Sequence, residues 1–282
     1  MTLGEMRRVL AQSGIHLTRS LGQNFLHDGN QLRRIIDAAS LGREDKVLEI
    51  GPGLGPLTER LLPLAGTVLA IEKDGRLLEL LRRRFAGAAN LTLRHRDALE
   101  EVREQRDWGD WKVVSNLPYS VASPILVELA QGLDAPRLVV ATLQLEVAQR
   151  LLARVGEADY GVLTLLVQWR YEVAGHFKIP ATCFFPVPEV DSACLVLRRR
   201  ATPLLGPGQA AVFRAVVKRA FSQRRKMMLK LLKEDWPAAA LEASRAELQL
   251  SPQSRAESVS LEQFVRLTAR LASTSTHERR DL

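Results

Sequence analysis

The feature that most constrains this fold is an alternation. Through the middle of the chain, short apolar runs of strand length are separated by stretches with helical spacing. The runs occupy residues 46–50, 67–71, 91–94, 112–115, 138–143, 162–167 and 193–197. Between them, Leu32, Ile35, Ile36 and Ala39 recur at i, i+3, i+4 and i+7 behind Asp28, whose carboxylate suits a helix N-cap. Leu77, Leu78 and Leu81 share a second such face. Alternation of this kind predicts an α/β domain with a parallel sheet covered by helices on both faces.

The pattern changes near Ala201. Residues 202–208 hold two prolines and two glycines, which reads as a linker, and from Gln209 onward the chain reads as helical. The expected units are therefore residues 1–201 and 202–282, with residues 273–282 fraying. The formal charge is +8. From Ser192 to Lys233 there are eleven Lys or Arg and no Asp or Glu, Arg224, Arg225 and Lys226 among them. A run of charge is often a solvated helix face. Complete absence of acids favours a polyanionic partner instead, because solubility alone is met by mixed signs. No apolar stretch approaches the length of a membrane span, and residues 1–20 lack the apolar block of a secretory signal. Cys183 and Cys194 make neither a disulfide framework nor a zinc motif, so the expectation is a cytoplasmic protein without a metal.

Three strand ends carry candidate ligand-binding residues. Val47-Leu48-Glu49-Ile50-Gly51-Pro52-Gly53-Leu54-Gly55 is a strand running into a glycine turn, where backbone can approach a nucleotide-like ligand closely. Glu72 ends the next strand, placed to accept from a ribose diol, and Asp97 follows the third, placed to accept from an adenine amino group. Each acid alone is more often an ordinary solvent-facing residue. Their common position after successive parallel strands puts them on one edge of the sheet. Gly51 and Glu72 alone also suit a nicotinamide dinucleotide.

The fourth strand ends in Asn116-Leu117-Pro118-Tyr119. An exocyclic adenine amino group is a poor nucleophile, because its lone pair is delocalised into the ring. Two acceptors on its hydrogens let the nitrogen pyramidalise. The Asn116 side-chain oxygen and the Leu117 carbonyl suit that task, Pro118 restricts the backbone, and Tyr119 offers a face for a flipped base. A turn after a strand is the plain alternative. It accounts less well for a corner that follows Gly51, Glu72 and Asp97 in order.

These motifs, with Leu21-Gly22-Gln23-Asn24-Phe25-Leu26, Phe184-Phe185-Pro186-Val187-Pro188-Glu189-Val190-Asp191-Ser192-Ala193 and Ser222-Gln223-Arg224-Arg225-Lys226, closely resemble the bacterial small-subunit (16S) ribosomal RNA adenine N6,N6-dimethyltransferases of the KsgA type. The resemblance runs from Leu21 to about Phe264. It implies a seven-stranded, Rossmann-like class I methyltransferase domain, its last strand antiparallel, followed by a small all-helical C-terminal domain. It implies S-adenosyl-L-methionine as cofactor, S-adenosyl-L-homocysteine as product, and cofactor contacts at Asn24, Leu26, Gly51, Glu72, Asp97 and Asn116. Asn116, Leu117, Tyr119 and Phe184 would form the catalytic corner, with Phe184 joining Tyr119 on the target base. On sequence alone, Phe184 and Phe185 read as core packing. Arg224, Arg225 and Lys226 would contact RNA. The implied reaction is dimethylation of two adjacent adenosines in a hairpin near the 3′ end of small-subunit rRNA, on an assembling small ribosomal subunit, by a monomer. Two departures stand out: Met227-Met228-Leu229-Lys230 follows the basic element where Thr-Leu-Arg-Asn is common, and Glu189 replaces a usual lysine. The alternatives are a resistance-type dimethylase of large-subunit rRNA, or a chiefly non-catalytic assembly factor.

Overall fold

A computed structural model describes residues 1–15, 23–132, 134–206 and 208–277. Leu21 and Gly22 of the N-terminal motif, Pro207 of the linker and residues 278–282 lie outside these. The strands are β1 (Phe25–Leu26), β2 (Lys46–Ile50), β3 (Thr67–Glu72), β4 (Leu91–His95), β5 (Trp111–Asn116), β6 (Leu138–Gln144), β7 (Tyr171–Ile179), β8 (Phe184–Phe185) and β9 (Ser192–Arg199). The helices are α1 (Leu3–Ser13), α2 (Gly29–Ala39), α3 (Thr58–Leu61), α4 (Gly75–Arg84), α5 (Ala98–Glu104), α6 (Ala122–Gln131), α7 (Leu145–Leu152), α8 (Val162–Gln168), α9 (Gln209–Ala220), α10 (Met228–Leu232), α11 (Ala238–Glu247) and α12 (Leu261–His277).

Seven strands form one sheet in the order β4-β3-β2-β5-β6-β9-β7, and β1 pairs separately with β8. Strands β2 to β6 are mutually parallel where they pair. The central ones are apolar on both faces, with Val47, Leu48, Val68, Leu69, Val113 and Val140 all buried. β9, the last in the chain, lies antiparallel to β6. Acidic caps start three of the helices. Asp28, Asp74 and Asp97 accept from the first free N–H groups of α2, α4 and α5. The apolar stripes expected at Leu32-Ile35-Ile36-Ala39 and Leu77-Leu78-Leu81 are the buried faces of α2 and α4.

One strand expectation is overturned. Residues 162–167 form helix α8, not a strand. Thr164, Leu165, Leu166 and Val167 are all buried, so the helix is apolar without a polar face, and a short apolar run has no periodicity to tell the two apart. The seventh sheet strand is β7, whose burial alternates along Tyr171–Ile179. The period-two pattern of Tyr171, Val173, Phe177 and Ile179 was its sequence signal, interrupted by Gly175.

The chain divides into two compact units. The first takes Met1–Ala148 and Val173–Arg199, the second Gln149–Glu172 and Arg200–Leu282. A single cut after residue 201 therefore misplaces Gln149–Glu172. Within the second unit that excursion is tied in by contacts distant in sequence. The Tyr160 hydroxyl donates to the Val259 carbonyl at 2.9 Å, and the Trp169 and Phe213 rings lie 6.2 Å apart. The described residues of the second unit are helical apart from turns, loops and Tyr171–Glu172, which begin β7. Of the segment expected to fray, Ser273–His277 continues α12. No described helix is long and apolar enough to cross a membrane.

Candidate active site

Parallel strands end on the same edge of a sheet, so Gly51, Glu72, Asp97 and Asn116 come together by topology. The strand order reverses between β2 and β5, and a crevice opens at such a point. Here its cause is visible in the register. The β2–β5 ladder stops at Leu48 and Val113, whereas β5 stays paired with β6 as far as Asn116 and Thr142. Beyond the last rung, the buried Ser115 hydroxyl donates to the Ile50 carbonyl at 2.6 Å and bridges the parting strands. A cavity of about 270 Å³ occupies the opening, wholly within the first unit. Asn24, Leu26, Gly51, Glu72, Asp97, Asn116, Leu117 and Tyr119 all line it.

The glycine turn forms one wall. Gly51 and Gly53 have φ of +67° and +61°, in the left-handed region. A Cβ on Gly51 would stand 3.0 Å from Pro118 Cγ, and one on Gly53 would stand 2.6 Å from the Phe25 ring. The turn is thus pressed against both the β5 corner and the β1 segment. The Gly53 N–H donates to Glu72 Oε2 at 3.1 Å and the Asp74 N–H to Oε1 at 2.9 Å. Each carboxylate oxygen keeps acceptor capacity for a ligand. Burial raises the Glu72 pKa against the opposing pull of those N–H donors. Asp97 has two structural duties as well. It caps α5 through Leu99 N at 2.8 Å and pairs with Lys73 Nζ at 2.8 Å, and the Lys73 bond lowers its pKa.

Sequence reading passed over Glu49. This carboxyl also lines the cavity, accepts from the Thr58 hydroxyl at 2.7 Å, and is pushed up to about 8 by burial. Its place inside the glycine motif was the available signal. Three carboxyl groups therefore surround one cavity, Glu49 as a neutral acid at neutral pH, a setting that favours a ligand rich in hydroxyl and amino donors.

At the corner, orientation is fixed by neighbours. Asn116 Nδ2 donates to the Asn24 carbonyl at 2.8 Å. That bond requires a nitrogen, so it turns Oδ1 the other way, and Oδ1 is buried with no hydrogen-bond partner among the described residues. The Leu117 N–H donates to the Thr142 carbonyl at 3.2 Å, anchoring that peptide, while the Leu117 side chain is buried. The Tyr119 hydroxyl shares a 2.6 Å hydrogen bond with the buried Ser192 hydroxyl.

Phe184 departs from its expected place. It is 1% exposed, packs in the core with Leu32, Ile35 and Cys194, and is not among the described residues lining the cavity. Its partner across the β1–β8 ladder is Leu26, which does line it. Phe184 thus backs the wall rather than forming it. Phe185 lies under the Arg7 guanidinium, 5.3 Å from ring centroid to Cζ. Arg224, Arg225 and Lys226 are exposed in the second unit, in the turn between α9 and α10 rather than on a helix, and the Arg224 guanidinium donates to the Ala158 carbonyl at 3.0 Å. Among the described residues no His, Cys, Asp and Glu cluster could hold a metal ion.

A seven-stranded sheet with an antiparallel last strand, a glycine turn and ordered strand-end acids defines an S-adenosylmethionine-dependent methyltransferase of the Rossmann-like class. The model of the ribosomal RNA adenine dimethylase family matches residues 15–273, and the chain belongs to that family. It is 38% identical over 282 residues to the ribosomal RNA small subunit methyltransferase A of Geobacillus kaustophilus (strain HTA426), covering 96% of each chain. It is also 38% identical to the protein of that name from Enterococcus faecalis, over 95% of this chain and 94% of that one. Among solved structures, a dimethyladenosine transferase from Plasmodium falciparum superposes with a TM-score of 0.76 at 26% identity, over 89% of this chain and 98% of that one. The 23S rRNA methyltransferase ErmE does so with a TM-score of 0.66 at 30% identity, over 88% and 99%.

Proposed function

We propose that this enzyme dimethylates N6 of two adjacent adenosines in a hairpin near the 3′ end of small-subunit rRNA, on an assembling small subunit. The observation that carries the reading is Asn116 Oδ1, a buried acceptor without a partner among the described residues, turned away from the Asn24 carbonyl in a residue that lines the cavity. A buried unpaired acceptor costs free energy unless a ligand donor meets it. An adenine amino group is such a donor.

The residues present fit the cofactor. Glu72 would hold a ribose diol, Asp97 an adenine amino group, and the Gly51 and Gly53 backbone would lie along the nucleoside, with Asn24 and Leu26 also in contact. When bound, S-adenosylmethionine supplies an electrophilic methyl group on a positively charged sulfur. In the first transfer Asn116 Oδ1 and the Leu117 carbonyl would accept the two amino hydrogens, localising the nitrogen lone pair; each transfer releases one N6 proton to solvent, so in the second a single hydrogen remains for one of these acceptors. Tyr119 supports the base by stacking. Positioning does most of the work, and no general base with a tuned pKa is needed. Arg224, Arg225 and Lys226 contribute phosphate contacts, and the protein acts as a cytoplasmic monomer.

A second reading, methylation of large-subunit rRNA, draws on the 30% identity to ErmE. The 38% identity to small-subunit enzymes over 96% of both chains weighs more. Transfer of labelled methyl groups onto under-methylated small subunits, with mature small subunits, large subunits and naked RNA alongside, tests the proposal. Label on the small-subunit hairpin adenosines supports it, label on large subunits favours the second reading, and tight binding with no transfer marks an assembly factor.

A further inference from the structure

The Asn116–Tyr119 corner needs more than its own four residues, and the loop between β8 and β9 supplies the rest. Asp191 and Ser192 stand at the end of that loop. Asp191 Oδ1 accepts from the Ala181 N–H at 2.9 Å and Oδ2 pairs with Lys178 at 2.7 Å. The Asp191 carbonyl accepts from the Leu145 N–H at 2.9 Å, directly beyond the rung where Ser192 opposes Gln144. Asp191 is therefore gripped from β7, from the turn before β8 and from the start of α7. The next residue, Ser192, is fully buried and does not line the cavity. Its hydroxyl meets the Tyr119 hydroxyl at 2.6 Å.

We propose that Ser192 is a positioning residue for methyl transfer: it tethers the outer end of the Tyr119 ring, and Asp191 fixes where that tether stands. A tyrosine held only at its Cα can swing about χ1. One held at both ends presents a single plane, and a target base stacked on it inherits that plane. Burial raises the Tyr119 pKa, so the phenol stays protonated and the tether holds across neutral pH. Displacement at a methyl group demands alignment of nucleophile and leaving sulfur, so a modest tilt lowers the rate without touching the cofactor.

The inference rests on Tyr119 being the base platform. Its test is a double-substitution cycle with Ser192→Ala, Tyr119→Phe and both together. The readouts are single-turnover methyl transfer to under-methylated small subunits and cofactor affinity by calorimetry on the free protein. Each single variant is expected to slow transfer on the order of tenfold, leave cofactor affinity within about twofold, and show no further loss when combined. Losses that multiply, a wild-type rate in either single variant, or a fall in cofactor affinity matching the fall in rate overturns it. If Ser192→Ala does not accumulate as folded protein, Tyr119→Phe removes the same bond from the less buried side, and a wild-type rate there is equally fatal. Absence of transfer by the unaltered chain refutes the methyltransferase proposal itself, and this inference with it.

Discussion

Replacing Asn116 with alanine removes two interactions of different kinds. The Nδ2 bond to the Asn24 carbonyl is structural, at 2.8 Å. Its loss costs about 1 kcal/mol of stability, which in a chain of this size lowers the melting midpoint by roughly 2–4 °C. The Oδ1 acceptor has no partner among the described residues, so its removal offsets part of that cost and no catalytic contact is lost until substrate arrives. In the transition state, one of two acceptors on the amino group disappears. Loss of one such preorganised partner costs about 3 kcal/mol. At 1.36 kcal/mol per tenfold, that is about a 150-fold fall in rate. The Leu117 carbonyl remains, so transfer slows rather than stops. The assay is single-turnover methylation at saturating cofactor and subunit, with subunit affinity measured separately. Subunit binding should persist while transfer drops. A rate within threefold of the unaltered enzyme would falsify the acceptor role, and a loss confined to binding would assign Asn116 to docking instead.

Three further expectations follow from the same geometry. Glu49 is raised from 4.5 to about 8 by burial, so the folded chain keeps a proton that the unfolded chain releases. Its contribution to stability is complete below 4.5 and disappears as pH climbs through about 8; Glu49→Gln should therefore flatten the fall of the melting midpoint over that window, and parallel curves would contradict it. Gly53→Ala places a Cβ 2.6 Å from the Phe25 ring at φ +61°, which should cost roughly 1–2 kcal/mol of stability and weaken cofactor binding; unchanged calorimetric affinity would show that the turn is not the cofactor's cradle. Reversing the exposed Arg225 and Lys226 together should weaken subunit binding and reduce the log–log salt slope by about 2, while an unchanged slope would mean those charges are merely solvated.

Much of the site was legible because a parallel sheet has direction. Once β2 to β5 are parallel, residues that follow each strand share an edge, and sequence order alone brings Gly51, Glu72, Asp97 and Asn116 together. The Asp28 cap and the stripes of α2 and α4 were readable for a similar reason: each is set by neighbours within a turn or two of helix. What resisted reading depends on partners distant in the chain. Residues 162–167 carry strand-like composition, yet the Thr164 hydroxyl donates to the Arg150 carbonyl and the run is buried as a helix in the second unit. Nothing within the run states that.

The corner itself divides along the same line. The sequence by itself determined which chemical groups stand there: an amide, a carbonyl before proline, and an aromatic face. It did so because local backbone and strand order place them. Only the tertiary structure decided which way those groups point. Asn24, 92 residues away in sequence, turns the Asn116 amide, and Ser192, 73 residues away, meets the Tyr119 hydroxyl. Tertiary packing also took Phe184 out of the cavity, because pairing with Leu26 across the β1–β8 ladder accompanies its burial in the core. Side-chain orientation is set by contacts, and these contacts join segments that the sequence keeps far apart.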